Sequence, residues 1–401
     1  MRILLINTFY YPNEHGGAEM SVRYLAETLV KLGHDVTVIC LNTGLESYEK
    51  YNGVKIRRIK IKNIYLPNSD TENKAGASKF FWHLNDSYNF LGKSDIGKLI
   101  NEIAPDVIHT NNISGFSVSI WDVAKKKKIP VIHTTRDFYL LCPKTTMMSN
   151  GVSCEARCSS CKMLSMPRKI LSNNSVTHVI GISNFILDKH LNYEYFKNIP
   201  SSIIHNSYDI ADVKYRSPED TLVLGFIGRL APSKGVELLI DAFKSIFRKD
   251  QKVVLKIAGN GSQDYVMHLK HLAAGLPVNF LGRCAPESFF PSIDATVVPS
   301  IWNEPLGRVV IESMAYGKPV IATPVGGIPE LFNSDQGILC ERVDVDCMAT
   351  ALLQMTKMLR VDSKALHESC LNRAAQFTGK FVAESYLNVF DKVLKSSSAC
   401  L

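Results

Sequence analysis

Ala295-Thr296-Val297-Val298-Pro299-Ser300-Ile301-Trp302-Asn303-Glu304-Pro305-Leu306-Gly307-Arg308-Val309-Val310-Ile311-Glu312-Ser313-Met314-Ala315-Tyr316-Gly317-Lys318-Pro319-Val320-Ile321-Ala322-Thr323 holds one complete structural unit. A β-branched run stops at Pro299, a helix starts after Pro305, and a second β-branched run follows Gly317-Lys318-Pro319. Strand, loop, helix, strand is the pattern of a parallel βαβ unit, and it predicts an α/β fold.

The scheme extends in both directions. Leu222 to Ile227, Val253 to Ala258 and Val278 to Leu281 complete one series of strands separated by helical stretches. An earlier series runs through Ile3 to Ile6, Val36 to Ile39, Val107 to His109, Val131 to Thr134 and Val179 to Ile182. Between them Asp209 to Asp220 is polar, holds Pro218 and has no apolar period, so it reads as a linker. The expected division is residues 1–209, 210–379 and a final segment 380–401. In that segment Val382, Tyr386, Val389, Phe390 and Val393 share one helical face that must pack on something. Phe80, Phe81, Leu84, Tyr88 and Leu91 recur at helical spacing within the irregular stretch Lys62 to Asp95 and predict a core-packed helix.

A length of 401 residues suits two or three domains, and 46% hydrophobic against 21% charged residues excludes a disordered chain. The net charge of +8 fits anionic ligands, anionic lipid or nucleic acid without choosing among them. Apolar runs fall short of the 18 or so residues of a spanning helix, and Ile3 to Ile6 is cut by Asn7, so it reads as a strand and not a signal core. Ten cysteines are too sparse for a disulfide scaffold, which points to the cytoplasm. Four of them, Cys142, Cys154, Cys158 and Cys161, crowd together, and the spacing leaves a structural zinc site, a reduced loop or a disulfide open. Lys55, Arg57, Arg58, Lys60 and Lys62, with Lys125 to Lys128, suggest peripheral contact with anionic membrane on the first domain.

Three loops could carry chemistry. After the first strand, Gly16-Gly17 opens a helix, where a ligand can approach the backbone closely and free N–H groups favour an anion; a tight turn is the plain alternative. After Leu222 to Ile227, Gly228-Arg229 and Lys234-Gly235 put two cations in one loop, suited to neutralising a diphosphate. Glu304 before the later helix and Glu312 two turns inside it can accept hydrogen bonds from sugar hydroxyls, unless Glu312 merely pairs with Arg308 on a wet face. Neither a Walker loop nor the dinucleotide fingerprint Gly-x-Gly-x-x-Gly is present at these positions. Asp344-Val345-Asp346 matches a metal-binding Asp-x-Asp only superficially and predicts a helix cap.

Taken in order, Gly-Gly-Ala-Glu, Gly-Arg with Lys-Gly five residues on, and Glu304-x7-Glu312 with Glu-Pro-Leu-Gly resemble the retaining GT-B glycosyltransferases of family 4. The resemblance implies two Rossmann-like βαβ domains facing an interdomain cleft, the final helix crossing back to the first. It implies that Arg229 and Lys234 hold the donor diphosphate, that Glu304 contacts the donor sugar and that Glu312 binds the ribose. Backbone groups at Leu306 and Gly307 would assist with phosphate, and Gly17 would approach the donor from the other domain. The implied reaction moves a sugar from a nucleoside diphosphate sugar, expected to be UDP-linked, to a glycan or lipid-linked acceptor in surface polysaccharide or lipopolysaccharide synthesis. It needs neither catalytic metal nor nucleic acid.

The chain departs from that family in three places. Arg136 stands where many relatives carry a His, Asn111 stands where a second His is often found, and Asn206-Ser207-Tyr208-Asp209 has Ser207 for the hinge glycine. His109 reads equally as a cleft residue or a strand-end histidine. The rival functions are a nucleotide-sugar epimerase or phosphorylase and a catalytically silent sugar-nucleotide-binding subunit, and the combined Gly-Arg/Lys and Glu-x7-Glu blocks favour transfer.

Overall fold

The computed structural model describes residues 1–401 apart from 15, 43, 45, 67–75, 150, 213 and 399–401. The expected irregular stretch Lys62 to Asp95 therefore lies partly outside the described residues. The chain divides into two compact units, one of residues 1–148, 154–207 and 379–401, the other of 149–153 and 208–378.

The first unit carries β1 (Arg2–Ile6), α1 (Gly17–Lys31), β2 (Asp35–Asn42), β3 (Ser47–Tyr51), β4 (Val54–Lys60), α2 (Gly76–Ser87), α3 (Phe90–Ile103) and β5 (Val107–Thr110). It continues through α4 (Ser119–Lys126), β6 (Val131–Thr135), α5 (Ser159–Leu164) and α6 (Met166–Ser175); between β6 and α5 the chain forms the two-stranded hairpin β7 (Met148–Ser149) and β8 (Val152–Ser153), whose residues 149–153 group with the second unit. Next come β9 (His178–Gly181), α7 (Asn184–Leu191) and β10 (Ser201–Ile203). The sheet order is β10-β9-β6-β5-β1-β2-β4-β3, parallel except for the edge pair β3 and β4.

The second unit runs β11 (Leu222–Ile227), α8 (Val236–Phe247), β12 (Val253–Ala258), α9 (Gln263–Leu272), β13 (Val278–Gly282), α10 (Pro286–Phe289), β14 (Ala295–Val298), α11 (Arg308–Ala315), β15 (Val320–Ala322), β16 (Gly337–Leu339) and α12 (Val345–Ala374). Its sheet, β13-β12-β11-β14-β15-β16, is wholly parallel and follows the doubly wound order, with the reversal between β11 and β14. β11, β12, β14 and β15 are largely buried, as strands covered by helices on both faces must be. The linker segment is not loose against this unit: Tyr208 N donates to Phe377 O at 2.9 Å and Ala211 N to Ala315 O at 3.0 Å. Asp344 caps α12 as the sequence predicts, its Oδ1 accepting from Cys347 N at 2.7 Å.

The last helix, α13 (Gly379–Ser398), belongs to the first unit. Val382, Tyr386, Val389, Phe390 and Val393 are buried in one cluster with Ile3, Leu5, Val22 and Leu25 of β1 and α1. Removing side chains of this size from water is worth about 1.5–3 kcal/mol each, which holds the helix on the unit.

One expectation needs correction. The apolar stripe of α2 does not face a core: Phe80, Phe81 and Leu84 are 45%, 59% and 51% exposed, and Phe90 and Leu91 at the start of α3 are more so. The helix is held by its other face, through Trp82, Asp86 and Ser87. The basic residues of β4 are largely neutralised, Lys55 by Asp35, Arg57 by Glu102 and Arg58 by Glu49; Lys62 pairs with Asp95 and Lys126 with Asp122. Lys60, Lys125, Lys127 and Lys128 have no ion pair among the described residues.

Candidate active site

In an open parallel sheet, ligands bind beyond the carboxyl ends of the strands where the order reverses. In the second unit that place lies between β11 and β14, and the loops leaving it, 228–235 and 299–307, are the two that the sequence singles out. They are tied together by Ile301 N and Trp302 N, which donate to Ser233 O at 3.1 and 3.2 Å. Gly235 permits the approach, with φ +68° and a hypothetical Cβ only 1.9 Å from Pro299 O.

This closeness places Lys234 Nζ 2.8 Å from Glu304 Oε1. Ser300 donates its hydroxyl to the same carboxylate oxygen, and Lys234 Nζ lies 5.7 Å from the Trp302 ring centre, within cation–π range. The backbone of Glu304 is fixed from a third loop: Gly327 N donates to Glu304 O at 2.8 Å, and at Gly326 a Cβ would stand 1.9 Å from that oxygen. Arg229 is exposed and, among the described residues, its side chain has no ion-pair or hydrogen-bond partner.

Leu306 is buried, and Gly307, at φ +94°, opens α11 without a side-chain cap. An uncapped helix start and an unengaged Arg229, on loops that leave the adjacent strands β14 and β11, can each receive an anion, through backbone N–H groups and a guanidinium fork. Arg308 Nε donates to Glu312 Oε1 at 2.6 Å, with both side chains only 11% exposed, so this i, i+4 pair is not on a wet face. Burial raises the Glu312 carboxyl above its ordinary value against the pull of Arg308. We expect Glu312→Gln, which keeps a partner for Arg308, to weaken nucleoside diphosphate binding roughly tenfold, the scale of one hydrogen bond to a charged group. Calorimetric titration of the variant reads this directly.

The first unit has its own reversal between β1 and β5, and Gly16 and Gly17 open α1 beyond it. Gly16 is extended, at φ −170°, so this position makes no conformational demand for glycine. The two loops at the reversal are laced by Thr8 N to Asn112 O at 2.8 Å and Asn112 N to Asn7 Oδ1 at 3.1 Å. Asp137 accepts from Asn112 Nδ2 at 2.9 Å and from Tyr139 N at 2.7 Å. Burial, with Glu19 acting in the same direction, pushes the Asp137 carboxyl up to about 6.

His109 packs inside the first unit. It is fully buried, its Nε2 lies 2.8 Å from Thr134 Oγ1, and its ring packs on Tyr386 and Phe390 of α13. Burial holds it well below the ordinary histidine value, and it stays neutral. Arg136 is a structural hub that donates to Asn111 Oδ1 at 2.8 Å, Asn206 Oδ1 at 2.5 Å and Tyr386 OH at 3.5 Å. The four clustered cysteines are free thiols, and among the described residues no three His, Cys, Asp or Glu side chains are gathered to hold a metal ion. The sequence motifs single out none of Ser300, Trp302, Gly326 and Asp137, because the role of Ser300 rests on a loop path and those of the others on contacts between separate loops.

Comparison with known proteins identifies the family. The Glycosyl transferases group 1 model matches residues 207–366, and the Glycosyltransferase Family 4 model matches residues 15–212. An uncharacterized 42.6 kDa protein in the cps region of Klebsiella pneumoniae is 39% identical over 332 residues, 82% of this chain and 87% of its own length. Anabaena Alr3699/HepE, solved in complex with UDP, shares the fold with a TM-score of 0.72 at 19% identity, covering 98% of this chain and 100% of that one. Sucrose-phosphate synthase from Thermosynechococcus elongatus does so with a TM-score of 0.73 at 20% identity, covering 98% and 99%. Matched along both units and built on two doubly wound sheets, the chain belongs to the GT-B glycosyltransferases of group 1 and family 4.

Proposed function

We propose that this glycosyltransferase moves a hexose, with retention, from a uridine diphosphate sugar to a glycan or lipid-linked acceptor in cell-surface polysaccharide synthesis. The observation that carries the reading is Glu304 held by Lys234 and Ser300, on loops that also carry the unengaged Arg229 and lead into the uncapped start of α11. The cps-region relative supports a surface polysaccharide, and the HepE complex with UDP supports a uridine donor.

An arriving diphosphate competes with Glu304 for the Lys234 ammonium. Lys234 and Arg229 then meet the charge that develops on the leaving group, and Glu304, freed of its cation, accepts hydrogen bonds from the donor sugar. The acceptor attacks on the face that the diphosphate leaves, so the protein supplies position and charge and no nucleophile. Two side-chain cations and a helix start cover the diphosphate, and no metal is assigned to catalysis.

Incubation with a panel of nucleoside diphosphate sugars should release UDP from a uridine donor at a rate unchanged by EDTA, with the product anomer retained by NMR. An inverted product would overturn the mechanism, and a rate abolished by EDTA would overturn the role given to the two cations.

A further inference from the structure

Ala77, Phe80, Phe81 and Leu84 follow the i, i+3, i+4, i+7 spacing that normally buries a helix, yet on α2 this stripe faces solvent. α2 packs against α5 and α6, where Met163, Met166 and Ile170 are also exposed. The buried sides are fastened by the Arg168–Asp86 ion pair at 2.9 Å and by Ser87 Oγ donating to Leu164 O at 2.6 Å. Neighbouring helices held this firmly, each turning large apolar side chains outward, form a surface that wants a partner.

The charge on these helices that has no ion pair is cationic. Segments 76–94 and 159–171 hold Lys79, Lys93, Lys162 and Lys169, while their one carboxylate, Asp86, is buried on Arg168. Lys93 and Lys169 pair with Asp122 and Glu194, whereas Lys79 and Lys162 have no ion pair among the described residues. A symmetric pairing of two copies would set these cations against themselves, because an isologous contact brings the same patch from both sides. Apolar side chains with a cationic rim instead match the boundary between acyl chains and anionic headgroups.

We propose that this face of the first unit, α2 with α5 and α6, docks on an anionic phospholipid bilayer. Phe80, Phe81 and Leu84 enter the interface while Lys79 and Lys162 meet phosphate. This moves the membrane contact away from the ion-paired β4 edge, and it does not depend on the donor assignment.

The full chain should co-sediment with vesicles of phosphatidylcholine mixed with phosphatidylglycerol and far less with phosphatidylcholine alone. The Phe80→Ser/Phe81→Ser/Leu84→Ser variant and the Lys79→Glu/Lys162→Glu variant should each bind at least tenfold more weakly while titrating UDP as the parent chain does. Because none of these side chains belongs to the core, the substitutions leave it intact, and circular dichroism verifies it. The proposal is overturned if the parent chain ignores phosphatidylglycerol or if both variants still bind. It is overturned equally if light scattering finds a dimer that the triple variant dissolves.

Discussion

Glu304→Gln should slow sugar transfer by on the order of 10²–10³-fold, the scale of losing one preorganised polar group aimed at a transition state. Glutamine keeps the shape of the side chain and can still face Ser300, but it no longer holds Lys234, which now stands 2.8 Å from a carboxylate. UDP itself should bind at least as tightly as it does to the parent chain, because it lacks the transferred sugar and no longer competes with a carboxylate for Lys234. Arg229→Ala should behave differently, losing UDP affinity and rate together. Steady-state kinetics with UDP titrations separate the two patterns, and near-parent transfer in both variants would dismantle the proposed site.

Arg168→Met should destabilise the first unit by about 3–5 kcal/mol, the cost of stranding one half of a buried ion pair. Arg168 and Asp86 are 0% and 1% exposed, and the guanidinium also donates to Tyr139 O. Burial already raises the Asp86 carboxyl above its ordinary value, with Arg168 pulling it down. Removing the cation raises it further. A carboxyl whose folded pKa exceeds its unfolded value binds more protons when folded, so it is tolerated at low pH and opposes folding as pH rises from about 4 through the folded value. The deficit should therefore widen between acidic and neutral pH in denaturant melts. Asp86→Asn added to Arg168→Met should recover part of it; a pH-independent deficit would mean lost packing and not a stranded charge.

The sequence discloses what local pattern controls. Leu222–Ile227, Val253–Ala258 and Ala295–Val298 are read to the residue because a strand covered on both faces is a continuous apolar run with sharp ends. Val54–Lys60 is missed because an edge-ward strand alternates apolar with charged residues, so its cations draw the eye before its period does. For α2 the period is right and the environment wrong: spacing says which residues share a face, never whether a neighbour covers it. The same limit governs the site. Arg229, Lys234, Glu304 and Glu312 are legible from their motifs. Ser300 on Glu304 depends on a loop path, and Gly326 under the Glu304 carbonyl on a contact between distant segments. His109 and Arg136 both lie against Tyr386, 277 and 250 positions away, a contact that no local pattern discloses.

That last contact bears on how the molecule is made. The core around β1 and α1 includes Tyr386, Val389 and Phe390, so the ribosome must pass through residues 208–378 before the first unit has all its parts. At about 5–20 residues per second, this keeps the nascent first unit waiting on the order of ten seconds or more, with the apolar side chains meant for α13 still uncovered. The intervening unit has its complete sequence sooner and can close first. The half begun earliest is finished last, and a nascent chain stalled before residue 379 would carry a finished second unit tethered to an open first one.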